Sequence, residues 1–148
     1  MKLTSITPIL NVSSVPASIG WFEKLGWRRG FSWNDGGMIA HGADRNEHGD
    51  AGFAGICCGE FEIFLCRDGQ GSRGGPEPRH VGTDDTGGVW MSWWLKTPAE
   101  VDQVHAVATK LGMNIGDPPT DQPWGVREFE LVHPDGHTFR VSAPLKCE

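Results

Sequence analysis

Apolar positions along the chain change their spacing several times, and each change marks an element. Leu3 to Val12 (LTSITPILNV) is dominated by β-branched and apolar residues, which predicts a strand. Ser13, Ser14 and Pro16 interrupt it, after which Ile19, Phe22 and Leu25 recur at helical spacing up to a stop at Gly26. The same order returns at Val89 to Lys96 (VWMSWWLK), a second strand. It is followed by Thr97-Pro98-Ala99-Glu100, a capping box with proline at the first helical position. Val101, Val104, Val107, Ala108 and Leu111 then give a helical stripe that stops at Gly112.

Both helices end alike, in Lys24-Leu25-Gly26-Trp27 and Lys110-Leu111-Gly112-Met113, about half the chain apart. Three further strands are predicted after each helix. In the first half they are Trp27 to Trp33, Phe53 to Cys58 and Phe61 to Cys66; in the second, Asn114 to Ile115, Val126 to Val132 and His137 to Ser142. Tight turns at Gly59-Glu60 and His133-Pro134-Asp135-Gly136 join the last two strands of each half. The chain therefore reads as one domain over 1–148 built from a duplicated unit: module 1 over about 1–66, a linker over about 67–88 and module 2 over about 89–148. One half alone has too little core to be stable. Arg67 to Gly88 (RDGQGSRGGPEPRHVGTDDTGG) has almost no large apolar residue, which predicts a flexible connector, and Asn34 to Gly52 is a second long polar loop.

Composition narrows the function classes. Lys+Arg 13 against Asp+Glu 19 gives a net charge of −6, which argues against nucleic acid or an anionic membrane as partner. No apolar run is long enough to span a bilayer and no signal peptide opens the chain, so a cytoplasmic protein is expected. Cys57, Cys58, Cys66 and Cys147 show no CxxC pair, and strand burial would make the first three inert thiols. Seven tryptophans and no tyrosine make flat apolar ligands plausible.

Several groupings could carry chemistry, and most have plainer readings. His41, Asp44, Glu47, His48 and Asp50 could wrap a metal, but their spacing fits no ligand motif and a solvated loop is expected. His133 and His137 flank a turn and are expected at the surface, and His105 lies mid-helix with no assigned role. Gly69 to Gly75 lacks the Lys-Ser/Thr of a phosphate loop, and no nucleophile motif is present, so no catalytic residue is assigned.

Two stretches, Pro8 to Trp27 (PILNVSSVPASIGWFEKLGW) and Trp124 to Val141 (WGVREFELVHPDGHTFRV), resemble the glyoxalase/bleomycin resistance/dioxygenase superfamily, the vicinal oxygen chelate fold. The second resembles the family's closing hairpin with its Asp-Pro-Asp-Gly-His turn, in which His133 replaces the first Asp. The resemblance implies an α+β fold of two tandem βαβββ modules forming a curved mixed sheet with a cleft, and a homodimer. It also implies a divalent metal held by the first and fourth strands of the modules. Those positions fall on Thr7, Glu62, Ser92 and Arg140, of which only Glu62 is a good ligand. The expectation is therefore no cofactor, with Arg140 in the place of the cation and paired to Glu62.

Strand alternation puts Trp90 and Trp94 on the face of Ser92, and Phe64 on that of Glu62, while Trp93 and Leu95 face the helices. The candidate ligand-binding residues are Thr7, Glu62, Phe64, Ser92, Trp94 and Arg140, with Trp33 and Trp124 beside loops. They suit a small aromatic or cationic ligand, such as a bleomycin-type antibiotic, bound without metal as in the family's bleomycin-resistance branch. The alternatives are a metal-dependent lyase, isomerase or dioxygenase with one divalent ion, needing His41 or His48 as ligand, and a module that binds a partner protein through exposed aromatics.

Overall fold

Ser14 and Thr97 start the two helices as their hydroxyls allow. In the computed structural model of the protein, which describes residues 1–34, 37–39, 51–67, 70–75 and 87–146, Ser14 Oγ accepts from the Ala17 N–H at 3.3 Å and opens α1 (Val15–Glu23). Thr97 Oγ1 accepts from the Glu100 N–H at 3.3 Å, and Glu100 Oε2 accepts from the Thr97 N–H at 2.8 Å. This reciprocal box opens α2 (Pro98–Lys110). Beyond each helix a glycine takes positive φ, Gly26 at 87° and Gly112 at 65°, where a side chain would be strained.

The chain divides into two compact units, Met1–Ser72 and Arg73–Glu148. In the first, β1 (Ile9–Asn11), β2 (Arg28–Asn34), β3 (Gly37–Ile39), β4 (Phe53–Cys58) and β5 (Phe61–Cys66) form a sheet in the order β1-β5-β4-β2-β3. In the second, β6 (Trp90–Trp94), β7 (Asn114–Ile115), β9 (Val126–Val132) and β10 (Thr138–Pro144) run in the order β6-β10-β9-β7, and β8 (Thr120–Asp121) also pairs with β9. In both units the first strand is parallel to the last and the other pairs are antiparallel. Each module is thus the α+β unit expected, strand, helix and three strands, with its own mixed sheet. Strands β3 and β8 are additions that the polarity pattern does not predict, β3 lying inside the expected loop of Asn34 to Gly52.

The first strand is shorter than expected. Leu3 and Ile6 are exposed, and Pro8, which has no N–H to donate, stands just before β1. Its carbonyl still accepts from the Phe64 N–H at 2.9 Å. Ile63 and Leu65 turn to the helix side of the first sheet and are buried with Leu10, Ile56 and the α1 residues Val15, Ile19 and Phe22. In the second unit Phe129, Leu131, Phe139 and Val141 are buried with Val101 and Ala108 of α2, and Trp93 stacks on Phe139 at 4.3 Å. Full burial of each such side chain stabilises by roughly 1.5–3 kcal/mol. His105 packs edge-on against Phe129 at 5.3 Å.

His133 and His137 are not at the surface: they are 1% and 0% exposed. Their ring nitrogens satisfy turn backbone, His133 Nδ1 accepting from the Asp135 N–H and His137 Nδ1 from the Val89 N–H, both at 3.1 Å. Burial, with a smaller contribution from His137, pushes the His133 pKa down to about 4. The described parts of the expected linker are hydrogen-bonded into the units. Asn11 Nδ2 donates to Gly71 O at 3.0 Å in the first, and Gly74 N–H to Asp135 O at 2.8 Å in the second. At Gly136, φ is 77° and an added Cβ would lie 2.4 Å from the Gly74 backbone. No described helix is long and apolar enough to cross a membrane.

Candidate functional site

Register places the polar and aromatic residues of the second sheet in rows. Ser92 lies opposite Arg140, which lies opposite Glu130; Trp94 lies opposite Ser142, which lies opposite Glu128. Side chains directly opposite share a face, so this face collects Ser92, Trp94, Arg140, Ser142, Glu128 and Glu130, while Trp93, Phe139 and Phe129 take the helix side. A cavity of about 420 Å³ on it is lined by Ser92, Trp94, Trp124, Val126, Glu128, Arg140 and Ser142. That volume falls in the range of small-molecule sites.

A buried carboxylate organises the floor. Glu128 is 8% exposed; its Oε1 accepts from Arg140 Nη2 at 2.6 Å and its Oε2 from the Ser142 hydroxyl at 3.0 Å. The carboxylate that Arg140 bonds is therefore Glu128, two residues before the Glu130 it faces, where the resemblance suggested Glu62. Gly116 leaves room beside this row, since a Cβ there would come within 2.8 Å of Glu130 Oε2. Above the floor stand the indoles of Trp94 and Trp124, 64% and 60% exposed.

Four of the expected residues, Ser92, Trp94, Arg140 and Trp124, thus meet in one cavity. The other four belong to the first unit. Glu62 and Phe64 share a face of β5, Trp33 is an exposed residue of β2, and Thr7 lies two residues before β1 rather than within it. Phe64 packs its ring 5.6 Å from Phe31 and 5.3 Å from Phe53. Gly55 makes space beneath, because a Cβ would fall 2.7 Å from Phe31 and 2.8 Å from Glu62 Oε1. Cys57 Sγ is 4.0 Å from Glu62 Oε1, and burial, then the Glu62 charge, raise the thiol pKa against the opposing pull of Arg28. Burial covers Cys66, whereas Cys58 is exposed, contrary to expectation.

Val126, Glu128 and Ser142 line the cavity and are missing from the sequence candidates. The alternation that selects Ser92 with Trp94 would also have selected them, continued along the strands of the closing hairpin. The metal implied by the resemblance does not fit the four positions named for it, Thr7, Glu62, Ser92 and Arg140. The guanidinium of Arg140 cannot ligate a cation, and among the described residues no three His, Cys, Asp or Glu side chains are grouped to hold one. The His41 to Asp50 cluster lies outside the described residues.

The sequence profile of the glyoxalase/bleomycin resistance protein/dioxygenase superfamily matches residues 2–141. No curated protein matches the chain. Among solved structures, TioX from Micromonospora sp. ML1 is similar with a TM-score of 0.65 and 19% identity over 95% of this chain and 100% of its own. A glyoxalase/bleomycin resistance protein/dioxygenase from Nocardioides gives 0.64 and 20% over 100% and 88%. A lactoylglutathione lyase from Agrobacterium tumefaciens gives 0.61 and 16% over 97% and 96%. At these identities the structures speak for the fold; the profile match, over nearly the whole length, goes further. The chain belongs to the glyoxalase/bleomycin resistance/dioxygenase superfamily.

Proposed function

We propose that the protein is a metal-independent binding protein that takes a small planar aromatic molecule into the cavity of its second unit and sequesters it stoichiometrically. One observation carries this reading: two highly exposed indoles, Trp94 and Trp124, border a concave site whose floor is a hydrogen-bonded Arg140–Glu128–Ser142 chain. Stacking on such indoles contributes about 1 kcal/mol per contact beyond the area covered. A guanidinium where a metal-binding carboxylate would be needed supports binding without metal. A bleomycin-type antibiotic is one candidate ligand, and the working unit is a homodimer, which sedimentation equilibrium tests.

The test combines two titrations of protein purified without chelator or nickel resin. Zinc, nickel, manganese and ferrous iron should leave the melting temperature unchanged, whereas bicyclic aromatics should quench tryptophan emission in the native protein and not in Trp94→Ala. Stoichiometric metal, or clear stabilisation by one ion, would replace this reading with a metal-dependent lyase, isomerase or dioxygenase.

A further inference from the structure

The polar groups of the cavity do not present themselves equally to a ligand. Both oxygens of Glu128 are engaged, one by Arg140 and one by Ser142, and the side chain is nearly covered. Ser142 is buried and gives its only hydroxyl proton to Glu128. The carboxylate is therefore spent within the protein. Arg140 is different: its side chain is 30% exposed, and only Nη2 of its three nitrogens is committed to Glu128. Nε–H and the Nη1 hydrogens remain to be satisfied by solvent or a ligand. With the exposed Ser92 hydroxyl beside it, the polar end of the cavity is predominantly a donor surface.

Charge then selects among acceptors. Arg140 is already neutralised by Glu128, buried Glu130 lies opposite it in register, and the chain as a whole is at −6. A full anion would bring a further negative charge to this row, and an ammonium would set more donors against the donors of Arg140 and Ser92, facing the exposed guanidinium and not the covered Glu128. A neutral oxygen with strong acceptor character suffers neither penalty, and a hydrogen bond from a charged donor to it is among the stronger ones. Ser92 and Trp94 are two residues apart on β6, so the donors stand roughly 7 Å along the strand from the indole.

Resting on the binding reading above, we infer that the ligand is an uncharged aromatic amide, its rings lying on Trp94 and Trp124 and its carbonyl oxygen accepting from Arg140. This narrows the sequence-based choice of an aromatic or cationic ligand to an uncharged group in the cavity, so that of a bleomycin-type antibiotic only an uncharged aromatic amide portion would enter it.

The experiment uses the full chain, ¹⁵N-labelled, near neutral pH in about 0.15 M salt to screen long-range charge effects. The Trp94 and Trp124 indole N–H resonances, assigned with Trp94→Phe and Trp124→Phe, are followed on titration with four ring-matched probes: naphthalene, 2-naphthamide, 2-naphthoate and 2-naphthylmethylamine. The amide should shift both indoles and bind at least about tenfold tighter than naphthalene, the size of effect that one charge-assisted hydrogen bond gives. The carboxylate should fall between them and the amine should gain nothing. In Arg140→Lys, whose ammonium lacks the fork that spans Glu128 and a ligand together, the amide's advantage should disappear. The inference is overturned if the amine or the carboxylate equals the amide, or if Arg140→Lys keeps the advantage; should that variant not fold, the ranking in the native protein decides. Equal binding of all four probes at the two indoles would leave the binding reading standing and remove this one. No shift of either indole by any probe would remove both.

Discussion

Acidification should destabilise the second unit through one buried imidazole. His133 is 1% exposed, and its Nδ1 holds the Asp135 N–H of the β9–β10 turn, so the proton of the neutral ring is on Nε2. Its pKa falls from 6.5 to about 4 because burial penalises the cation and His137, with ring centroids 5.6 Å apart, adds repulsion; the Asp135 carboxylate 3.7 Å away offsets only part. Between those two values the unfolded chain binds a proton that the folded chain refuses. Stability is therefore complete above about pH 6.5 and is lost as the pH falls towards 4. At about 1.4 kcal/mol for each tenfold difference in proton affinity, the loss is roughly 3 kcal/mol, a large part of a small domain's stability. Urea unfolding followed by tryptophan emission, repeated across this window, measures it. His133→Asn keeps an acceptor oxygen for the Asp135 N–H, as an Asx turn does, and cannot titrate there, so its stability should fall much less over the same window. Equal losses in the native protein and in His133→Asn would refute the reasoning.

Gly136→Ala should destabilise by more than about 3 kcal/mol, because it combines a positive φ with a Cβ 2.4 Å from backbone that has no side chain to move aside; a melting temperature lower by 10 °C or more is expected, and a change of a degree or two would contradict it. Thr97→Ala should cost about 1 kcal/mol by opening the capping box of α2, with Thr97→Ser restoring most of it in urea unfolding.

The fold was legible where the residues themselves decide. Phe53–Cys58, Phe61–Cys66, Asn114–Ile115 and Val126–Val132 are bounded by Gly, Pro or a turn, and the strands fall where those breaks put them. Strands β3 and β8 were not, since Gly37–Ile39 and Thr120–Asp121 lie in Gly- and Pro-rich stretches that read as loop and become strands only through the partners they meet, β2 and β9. In the cavity, alternation along β6 was enough to pick out Ser92 and Trp94. Arg140's carboxylate was harder to name, because whether it bonds Glu128 or another acid depends on cross-strand register that local sequence does not contain. The buried histidines were misread for a similar reason: His-Pro-Asp-Gly-His has the composition of an exposed turn, and its burial comes from the Gly74 and Gly88 segments packed against it.

Strand order also bears on how the chain emerges during synthesis. In each unit the strand made last lies inside the sheet: β5 between β1 and β4, and β10 between β6 and β9. The first sheet can close once Cys66 has left the ribosome, while most of the second unit is still to be translated. The second cannot, because β6 has no described partner but β10, and its tryptophans wait through more than forty residues for that strand. A nascent chain halted before Thr138 would thus carry every strand of the first sheet and a Trp-rich, unpaired β6, the kind of exposed strand that invites aggregation or a chaperone.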